Sequence, residues 1–182
     1  MTRDVRQYTF TPEDRLFLDT NVWWYIYVPQ QPKATRQVDI YSRALRDIHE
    51  ARSRIHIDVL VVSEFINAYA RREWRSRRPD IKDFKYFRRS GEFESLAAEI
   101  AHDVRLVTSQ CEQMASGFDS LRIDEMMNAY GAGHSDFNDQ VIARLCRKEG
   151  LTLVTHDLDF KHSDLSILTA NPRLLDASSG VW

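Results

Sequence analysis

The chain has few cysteines and no long apolar run, and each of these absences excludes a class of protein. Its two cysteines, Cys111 and Cys146, are far apart among 182 residues and lack the close spacing of a zinc site. We therefore expect buried, reduced thiols rather than a disulfide framework. No stretch approaches the roughly 20 apolar residues that a membrane span needs, so we expect no membrane partner. The N-terminal segment MTRDVRQYTFTPED has no apolar core of a signal peptide, which predicts a cytoplasmic protein.

The composition of the chain fits one globular domain. Hydrophobic residues make up 43% of it, which is enough to bury a core, and charged residues make up 29%. No repeat or low-complexity tract is visible. We therefore predict a single domain over residues 1–182.

Charge is distributed unevenly along the chain. The formal net charge is −2, but residues 71–89 (RREWRSRRPDIKDFKYFRR) hold nine Lys or Arg against three Asp or Glu. This stretch, called the basic segment below, interleaves its cations with Trp74, Phe84, Tyr86 and Phe87. Such a mixture is typical of surfaces that bind single-stranded RNA through phosphate pairing and base stacking. The candidate RNA-binding cations are Arg71, Arg72, Arg75, Arg77, Arg78, Lys82, Lys85, Arg88 and Arg89.

Two other interpretations of the basic segment stay open. Its aromatic side chains could pack into the core while the arginines form a solvated helix face. The segment could also be a protein interface, since Arg, Trp and Tyr are enriched in such patches.

Apolar runs and helical periodicities alternate along the chain. Strands are predicted at 16–18, 55–57, 151–155 and 166–168. Helices are predicted at 20–28, 35–52, 58–74, 93–114, 122–130 and 135–148, and a loop is predicted from Pro29 to Pro32. Asp58 and Ser135 are the predicted N-caps of the third and last helices. The predicted apolar face of the third helix consists of Val59, Val62, Ile66 and Tyr69. This alternation predicts a three-layer α/β/α fold with a central, mainly parallel sheet, and a basic, helical insertion at about 76–132.

Acidic residues follow two of the predicted strands. Asp19 ends LFLD and Asp157 ends TLVTHD, and the carboxyl ends of parallel strands meet at the edge where such sheets bind ligands. Glu64 lies in the apolar stretch VLVVSEF, and Asp139 lies near the start of the 135–148 helix. Each acid alone could be a helix cap or a turn residue. Together they would repel one another unless a cation neutralised them, and hard oxygen ligands favour Mg²⁺ or Mn²⁺.

The segments that carry these acids resemble a known family. LFLDTNV, VVSEF and DQVIARLCRKEGLTLVTHDLDF are similar to the motifs of the PIN domain, the fold of VapC-type toxin ribonucleases. The resemblance implies that Asp19, Glu64, Asp139 and Asp157 are the catalytic, metal-binding acids. The same resemblance implies supporting roles for Asn21 and Thr155, and leaves Asp136 and Asp159 as further candidate ligands.

The resemblance also implies an activity and partners. It predicts a Mg²⁺- or Mn²⁺-dependent endoribonuclease that hydrolyses single-stranded RNA, as the toxin of a toxin–antitoxin pair. Single-stranded or structured RNA, an antitoxin protein and a second copy of the chain are the expected partners. The alternative function is a PIN-fold module that binds RNA or a protein without cutting.

Overall fold

The structure is a computed structural model that describes residues 1–28, 35–133 and 136–179, the last three of them as backbone only. The predicted Pro29 to Pro32 loop and the predicted Ser135 cap lie outside the described residues.

Six short strands form one sheet in the described part of the chain. They are β1 (Thr2–Asp4), β2 (Arg15–Leu18), β3 (Arg54–Ile57), β4 (Glu112–Gln113), β5 (Thr152–Val154) and β6 (Ile167–Thr169). The strand order is β1-β6-β5-β2-β3-β4, and each pairing between neighbours is parallel. In the central strands β2 and β5 every residue after the first is apolar and buried, as expected for strands covered on both faces.

Helices connect the strands and cover the sheet. The described ranges contain α1 (Thr20–Tyr27), α2 (Thr35–Glu50), α3 (Val59–Arg77), α4 (Phe84–Phe87), α5 (Gly91–Ser109), α6 (Ile123–Gly131), α7 (Phe137–Glu149) and α8 (Pro172–Ser179), with 3₁₀ turns at Phe118–Ser120 and Leu158–His162. The predicted three-layer α/β/α architecture with a parallel sheet is confirmed.

The sequence did not predict every element. Strands β1 and β4 are polar, two or three residues long, and lie at the two edges of the sheet, so no apolar run signals them. Helix α8 was also missed. Helix α5 was predicted to reach residue 114, but it ends at Ser109 because Glu112 and Gln113 pair with His56 and Ile57 of β3.

The predicted apolar face of α3 was right for Tyr69, which is buried, and for Val62, which packs half-buried against the core, but wrong for Val59 and Ile66. Val59 is 64% exposed and Ile66 is 38% exposed, whereas Val61, Phe65 and Tyr69 are buried. The stretch VLVV offers an apolar residue at every position of the first turn, so periodicity alone could not select the stripe. The packing of α3 against both α1 and α5 selects it instead.

The segment 76–132 is mostly helical, as predicted, but it also contributes to the sheet. It contains the end of α3, then α4, α5, β4 and α6. Because β4 pairs with β3, this segment is part of the central sheet. Its status as an insertion into the domain stays a prediction.

The other expectations about the chain concern cysteines and membranes. Both cysteines are free thiols; Cys146 is buried and Cys111 is half-buried. None of the described helices is long and apolar enough to cross a membrane.

Tyr41 joins α2 to the carboxyl edge of the sheet. Its side chain is fully buried, and its hydroxyl accepts a hydrogen bond from the Ala170 backbone N–H at 3.1 Å. The same hydroxyl lies 2.9 Å from Nδ1 of His156 and 3.2 Å from the carbonyl oxygen of Thr155. One buried group therefore fixes the backbone that follows β5 and the backbone that follows β6.

We predict that Tyr41→Phe lowers the free energy of unfolding by about 1–3 kcal/mol, because the Ala170 N–H is left buried without an acceptor. Urea denaturation measures this change. Tyr27→Phe is the matched control: the Tyr27 hydroxyl accepts from the Gln110 side chain at 2.5 Å in a partly exposed position. Equal losses in the two variants would contradict the assignment.

Candidate active site

The ends of the two central strands lie side by side. Leu18 of β2 is in register with Val154 of β5, and the Asp19 backbone N–H donates to the Val154 carbonyl at 3.0 Å. Asp19 and Thr155 are the residues that follow these strands. The parallel pairing therefore brings the first and last predicted motifs together at the carboxyl edge of the sheet.

The Asp19 carboxylate is buried and held by three donors. One oxygen accepts from the Thr20 backbone N–H at 2.7 Å, so Asp19 caps α1. The other accepts from the Thr155 hydroxyl at 2.6 Å and from the Asn21 amide at 2.5 Å. The residue is 5% exposed, and its direction is fixed by partners from both strand ends.

Asn21 and Thr155 also position the segment that carries Asp157. The Asn21 amide oxygen accepts from the His156 backbone N–H at 2.9 Å. The Thr155 hydroxyl oxygen accepts from the Asp157 backbone N–H at 3.0 Å. Both residues predicted to support the site thus contact Asp19 and the chain that follows β5.

Glu64 reaches the same region from α3. Thr20, which follows Asp19, donates from its hydroxyl to the Glu64 carboxylate at 3.1 Å. Glu64 lies in the apolar stretch VLVVSEF, but the residue is exposed because the buried stripe of α3 lies on other positions. Thr20 is therefore a site residue that the sequence interpretation did not single out as a partner of Glu64.

The two acids at the start of α7 differ in their environment. Asp136 is the N-cap, and its carboxylate accepts from the Asn138 backbone N–H at 2.9 Å. Asp139 lies in the first turn, and no described residue donates a hydrogen bond to its carboxylate. Asp159 is exposed, and its backbone N–H donates to Asp157 at 3.0 Å. Asp139 is therefore a better ligand candidate than the capping Asp136.

The pKa values show that the acids share one electrostatic environment. Burial raises the pKa of Asp19 to about 6, against the opposing hydrogen bond from Thr155 and with added repulsion from Glu64. Burial, and then the charges of Asp19 and Asp157, raise the pKa of Asp139 to about 7. Partial desolvation, then the charges of Asp136 and Asp157, raise the pKa of Glu64. The four predicted acids therefore interact across one cleft.

A tyrosine that the sequence did not single out borders this cleft. Burial raises the pKa of Tyr25, and the charge of Asp157 raises it further. Its ring stacks on Tyr41 with centroids 5.7 Å apart and meets the His156 ring edge-on. One spacing of four in α1, from Asn21 to Tyr25, places both side chains on the same helix face.

The donor set suits a hard cation in its chemistry. The cleft offers carboxylate, hydroxyl and amide oxygens with an excess of negative charge, which is the set that Mg²⁺ and Mn²⁺ prefer. In the described residues, however, no three His, Cys, Asp or Glu side chains lie close enough together to enclose one ion. The four-acid ligand set stays a prediction, and binding would have to draw the carboxylates together.

Three of the nine cations of the basic segment are paired with neighbouring acids. Arg72 and Arg77 both pair with the buried Glu73, while Arg77 also pairs with Glu99 at 3.0 Å. Arg78 pairs with an aspartate and a glutamate. Exposed cations with no acid partner in the described chain remain at Arg75, Lys82, Lys85 and Arg89, and Arg71 and Arg88 lie over the rings of Phe84 and Phe93.

The aromatic residues of the basic segment mostly face inward. Phe87 is fully buried, and Trp74 and Phe84 pack against the core. Tyr86 alone among the four predicted stacking residues is highly exposed, at 68%. The arrangement favours the interpretation in which the aromatics belong to the core and the arginines form a solvated face.

Comparison with known proteins places this geometry in a family. Among curated proteins, none matches the chain. Among solved structures, VapBC2 from Rickettsia felis, bound to a DNA fragment from its promoter, superimposes with a TM-score of 0.56 at 17% identity, covering 85% of this chain and 98% of that chain. PAE2754 from Pyrobaculum aerophilum gives a TM-score of 0.49 at 16% identity, covering 91% and 96%.

The family profile of the PIN domain matches residues 16–165, which include all four predicted acids. The fold agrees with this match, since the strand pairings are parallel and Asp19 and Asp157 follow the carboxyl ends of the neighbouring strands β2 and β5. The chain therefore belongs to the PIN domain family, whose members are generally nucleases.

Proposed function

We propose that the protein is a metal-dependent endoribonuclease that cuts single-stranded RNA, and that it is the toxin of a toxin–antitoxin pair. The observation that carries the proposal is the buried Asp19 carboxylate, held by Thr155 and Asn21 at the carboxyl edge of the sheet. A carboxylate in this position is costly to ionise, as the raised pKa shows, unless a cation compensates for it.

The residues of the cleft divide the work in the proposed reaction. Asp19, Glu64, Asp139 and Asp157 would hold one or two Mg²⁺ or Mn²⁺ ions, which when bound activate water and neutralise charge on the phosphate. Asn21 and Thr155 keep Asp19 in one orientation and fix the backbone that carries Asp157. No side chain has to form a covalent intermediate with the RNA.

The proposed antitoxin partner has two supports. The similar structure of VapBC2 contains a complex bound to promoter DNA. In this chain, an apolar cavity of about 330 Å³ between α3 and α5 is lined by Ile66, Phe93 and Val104. Such a surface suits the apolar side chains of a partner segment. The predicted homodimer and cytoplasmic location stay predictions.

The non-cutting alternative also has an observation in its favour. The carboxylates of the described residues do not enclose a single cation site. A PIN-fold module that only binds RNA or protein would not need these carboxylates to come closer together. A nuclease assay separates these two functions.

We expect Asp19→Asn, Glu64→Gln, Asp139→Asn and Asp157→Asn each to reduce cleavage of RNA by more than roughly 100-fold, because each removes a charged ligand. A mixed RNA pool is incubated with purified protein and Mn²⁺, Mg²⁺ or EDTA, and the products are resolved on a gel.

Two further variants serve as comparisons in that assay. Asp124→Asn changes an exposed first-turn acid of α6 and should leave cleavage unchanged. Asp136→Asn should reduce cleavage less than Asp139→Asn does, because Asp136 is engaged as a cap. Full activity of Asp19→Asn would contradict the proposed metal site. Metal-independent binding of RNA without any cleavage would favour the alternative function.

Thr155 acts through its neighbours. Its hydroxyl donates to Asp19 and accepts from the backbone of Asp157, so Thr155→Val should lower kcat by roughly 10- to 100-fold, the usual cost of losing a partner of a metal ligand. Thr155→Ser keeps the hydroxyl and should restore most of the rate. Equal activity of the Val and Ser variants would show that the hydroxyl has no positioning role.

The stability of the metal-free protein should depend on pH through Asp139. Its pKa is about 7 in the folded chain and near 3.8 when unfolded, so the folded chain binds the extra proton between these values. The free energy of unfolding therefore falls as pH rises from about 4 to about 7. In EDTA at pH 8, Asp139→Asn should be more stable than the wild type by roughly 1–3 kcal/mol, allowing for solvent screening.

Thermal unfolding in EDTA from pH 5 to pH 8 measures this effect. Asp124→Asn is the control and should follow the wild-type curve. Parallel pH profiles for the wild type and Asp139→Asn would contradict a raised pKa of Asp139 in the folded chain.

A further inference from the structure

A second cavity lies away from the acidic cleft and is lined by cations. It has a volume of about 310 Å³ and lies between the second half of α7 and the loop that leads into α6. Arg144, Arg147 and Lys148 of α7 line one side of it, and Ser116 and Ser120 of the loop line the other. This group is called the basic cavity below. It offers three cations and two hydroxyls to one small volume.

The acids that pair with the arginines of the basic cavity are exposed to solvent. Arg147 is hydrogen-bonded to Asp164, whose side chain is 70% exposed. Arg144 lies 3.8 Å from Glu125, which is 52% exposed. Lys148 has no acid partner in the described chain, and its Nζ lies 3.4 Å from the Ser120 hydroxyl. Exposed pairs of this kind contribute little to stability, so a phosphate can replace these acids as the partner of the arginines at little cost.

The position of these cations on α7 has a simpler explanation that covers only part of the set. Cations in the last turn of a helix are favoured by the helix dipole, which accounts for Arg147 and Lys148. It does not account for Arg144, one turn earlier, or for the concave shape and the hydroxyls. Gly117, which also lines the cavity, has a φ of +69°, a conformation that favours glycine, so the turn of the backbone accounts for this residue.

An exposed aromatic residue lies in the loop that lines the basic cavity. Phe118 follows Gly117 in the chain, and it is 67% exposed. Aromatic rings of this size are normally buried, and an exposed ring beside cations is the combination that binds single-stranded nucleic acid. The basic segment also has one exposed ring, Tyr86, but its other three aromatic residues pack inward and three of its arginines are paired with acids.

One helix carries both the basic cavity and an acid of the cleft. Asp139 lies in the first turn of α7 and Arg147 in the last, which is roughly 12 Å along the helix axis. A single strand whose phosphate is held at Asp139 can therefore reach the basic cavity within a few nucleotides. Helix α7 fixes the distance between the two sites.

We propose that the basic cavity binds a backbone phosphate of the single-stranded RNA substrate, with an adjacent base stacked on Phe118. This inference rests on the proposed nuclease function, because the cleft on the same helix supplies the reason for RNA to be there. The basic cavity, rather than the basic segment, is then the main surface that orients the strand outside the cleft.

The test measures RNA binding separately from cleavage. The full chain carries Asp139→Asn to prevent cutting, and its affinity for a fluorescently labelled single-stranded RNA is measured by anisotropy in EDTA. Adding Arg144→Gln, Arg147→Gln and Lys148→Gln should weaken binding by at least roughly tenfold. It should also reduce the salt slope by about 0.7 for each RNA phosphate that the protein no longer neutralises. Phe118→Ala should weaken binding roughly tenfold, as expected for the removal of one stacking platform.

A matched variant removes the same charge from the basic segment. Arg75→Gln, Lys85→Gln and Arg89→Gln change three exposed cations that have no acid partner in the described residues. This variant should weaken binding less than the cavity variant does. The inference is overturned if the cavity variant, with an unchanged unfolding temperature, binds RNA as tightly as its parent, or if the basic-segment variant loses more affinity.

A cleavage assay keeps this result distinct from the proposed function. If the wild type cuts RNA but the cavity variant binds normally, the inference fails and the nuclease proposal stands. If the wild type binds RNA through the basic cavity without cutting it, the nuclease proposal fails and the cavity assignment is supported.

Discussion

The burial of one carboxylate organises the functional end of this protein. Asp19 directly follows an apolar strand, so its side chain is withdrawn from water at the edge of the sheet. A buried carboxylate is tolerated only when donors surround it. Those donors come from Thr20 and Asn21 of α1 and from Thr155 after β5. Satisfying Asp19 therefore requires that two strand ends, distant in sequence, adopt one fixed arrangement.

The same requirement explains how the second motif is oriented. Thr155 donates to Asp19 through its hydroxyl proton, and its oxygen accepts from the backbone of Asp157. Tyr41 supports this backbone from the other side, through contacts to the Thr155 carbonyl and the His156 ring. The last acid of the set is therefore positioned by hydrogen bonds rather than by the apolar core.

The extent to which the sequence predicted this arrangement differs between its parts. The placing of Asp19 and Asp157 was predictable because apolar strands precede them and parallel strands align their carboxyl ends, whereas the supporting roles of Asn21 and Thr155 were implied only by the resemblance to PIN-domain motifs. The exposure of Glu64 could not be read from the apolar stretch around it, because the face of α3 that is buried depends on packing against α1 and α5. The charge count of the basic segment was correct, but the count could not show that Glu73 and Glu99 pair with its arginines. The cavity beside Arg144 had no sequence signal, since its residues come from two separated segments.

The number of residues between Asp139 and the cations of α7 is constrained by function as well as by stability. Each residue of an α-helix turns the chain by about 100° and advances it by about 1.5 Å. If one residue were inserted between Asp139 and Arg144, only one half of the helix could keep its apolar contacts, because the other half would be rotated by about 100°. The insertion would also rotate the cations away from the face that they share with Ser120. Helix α7 thus sets both the spacing and the angle between Asp139 and the basic cavity, and a single inserted residue would change both.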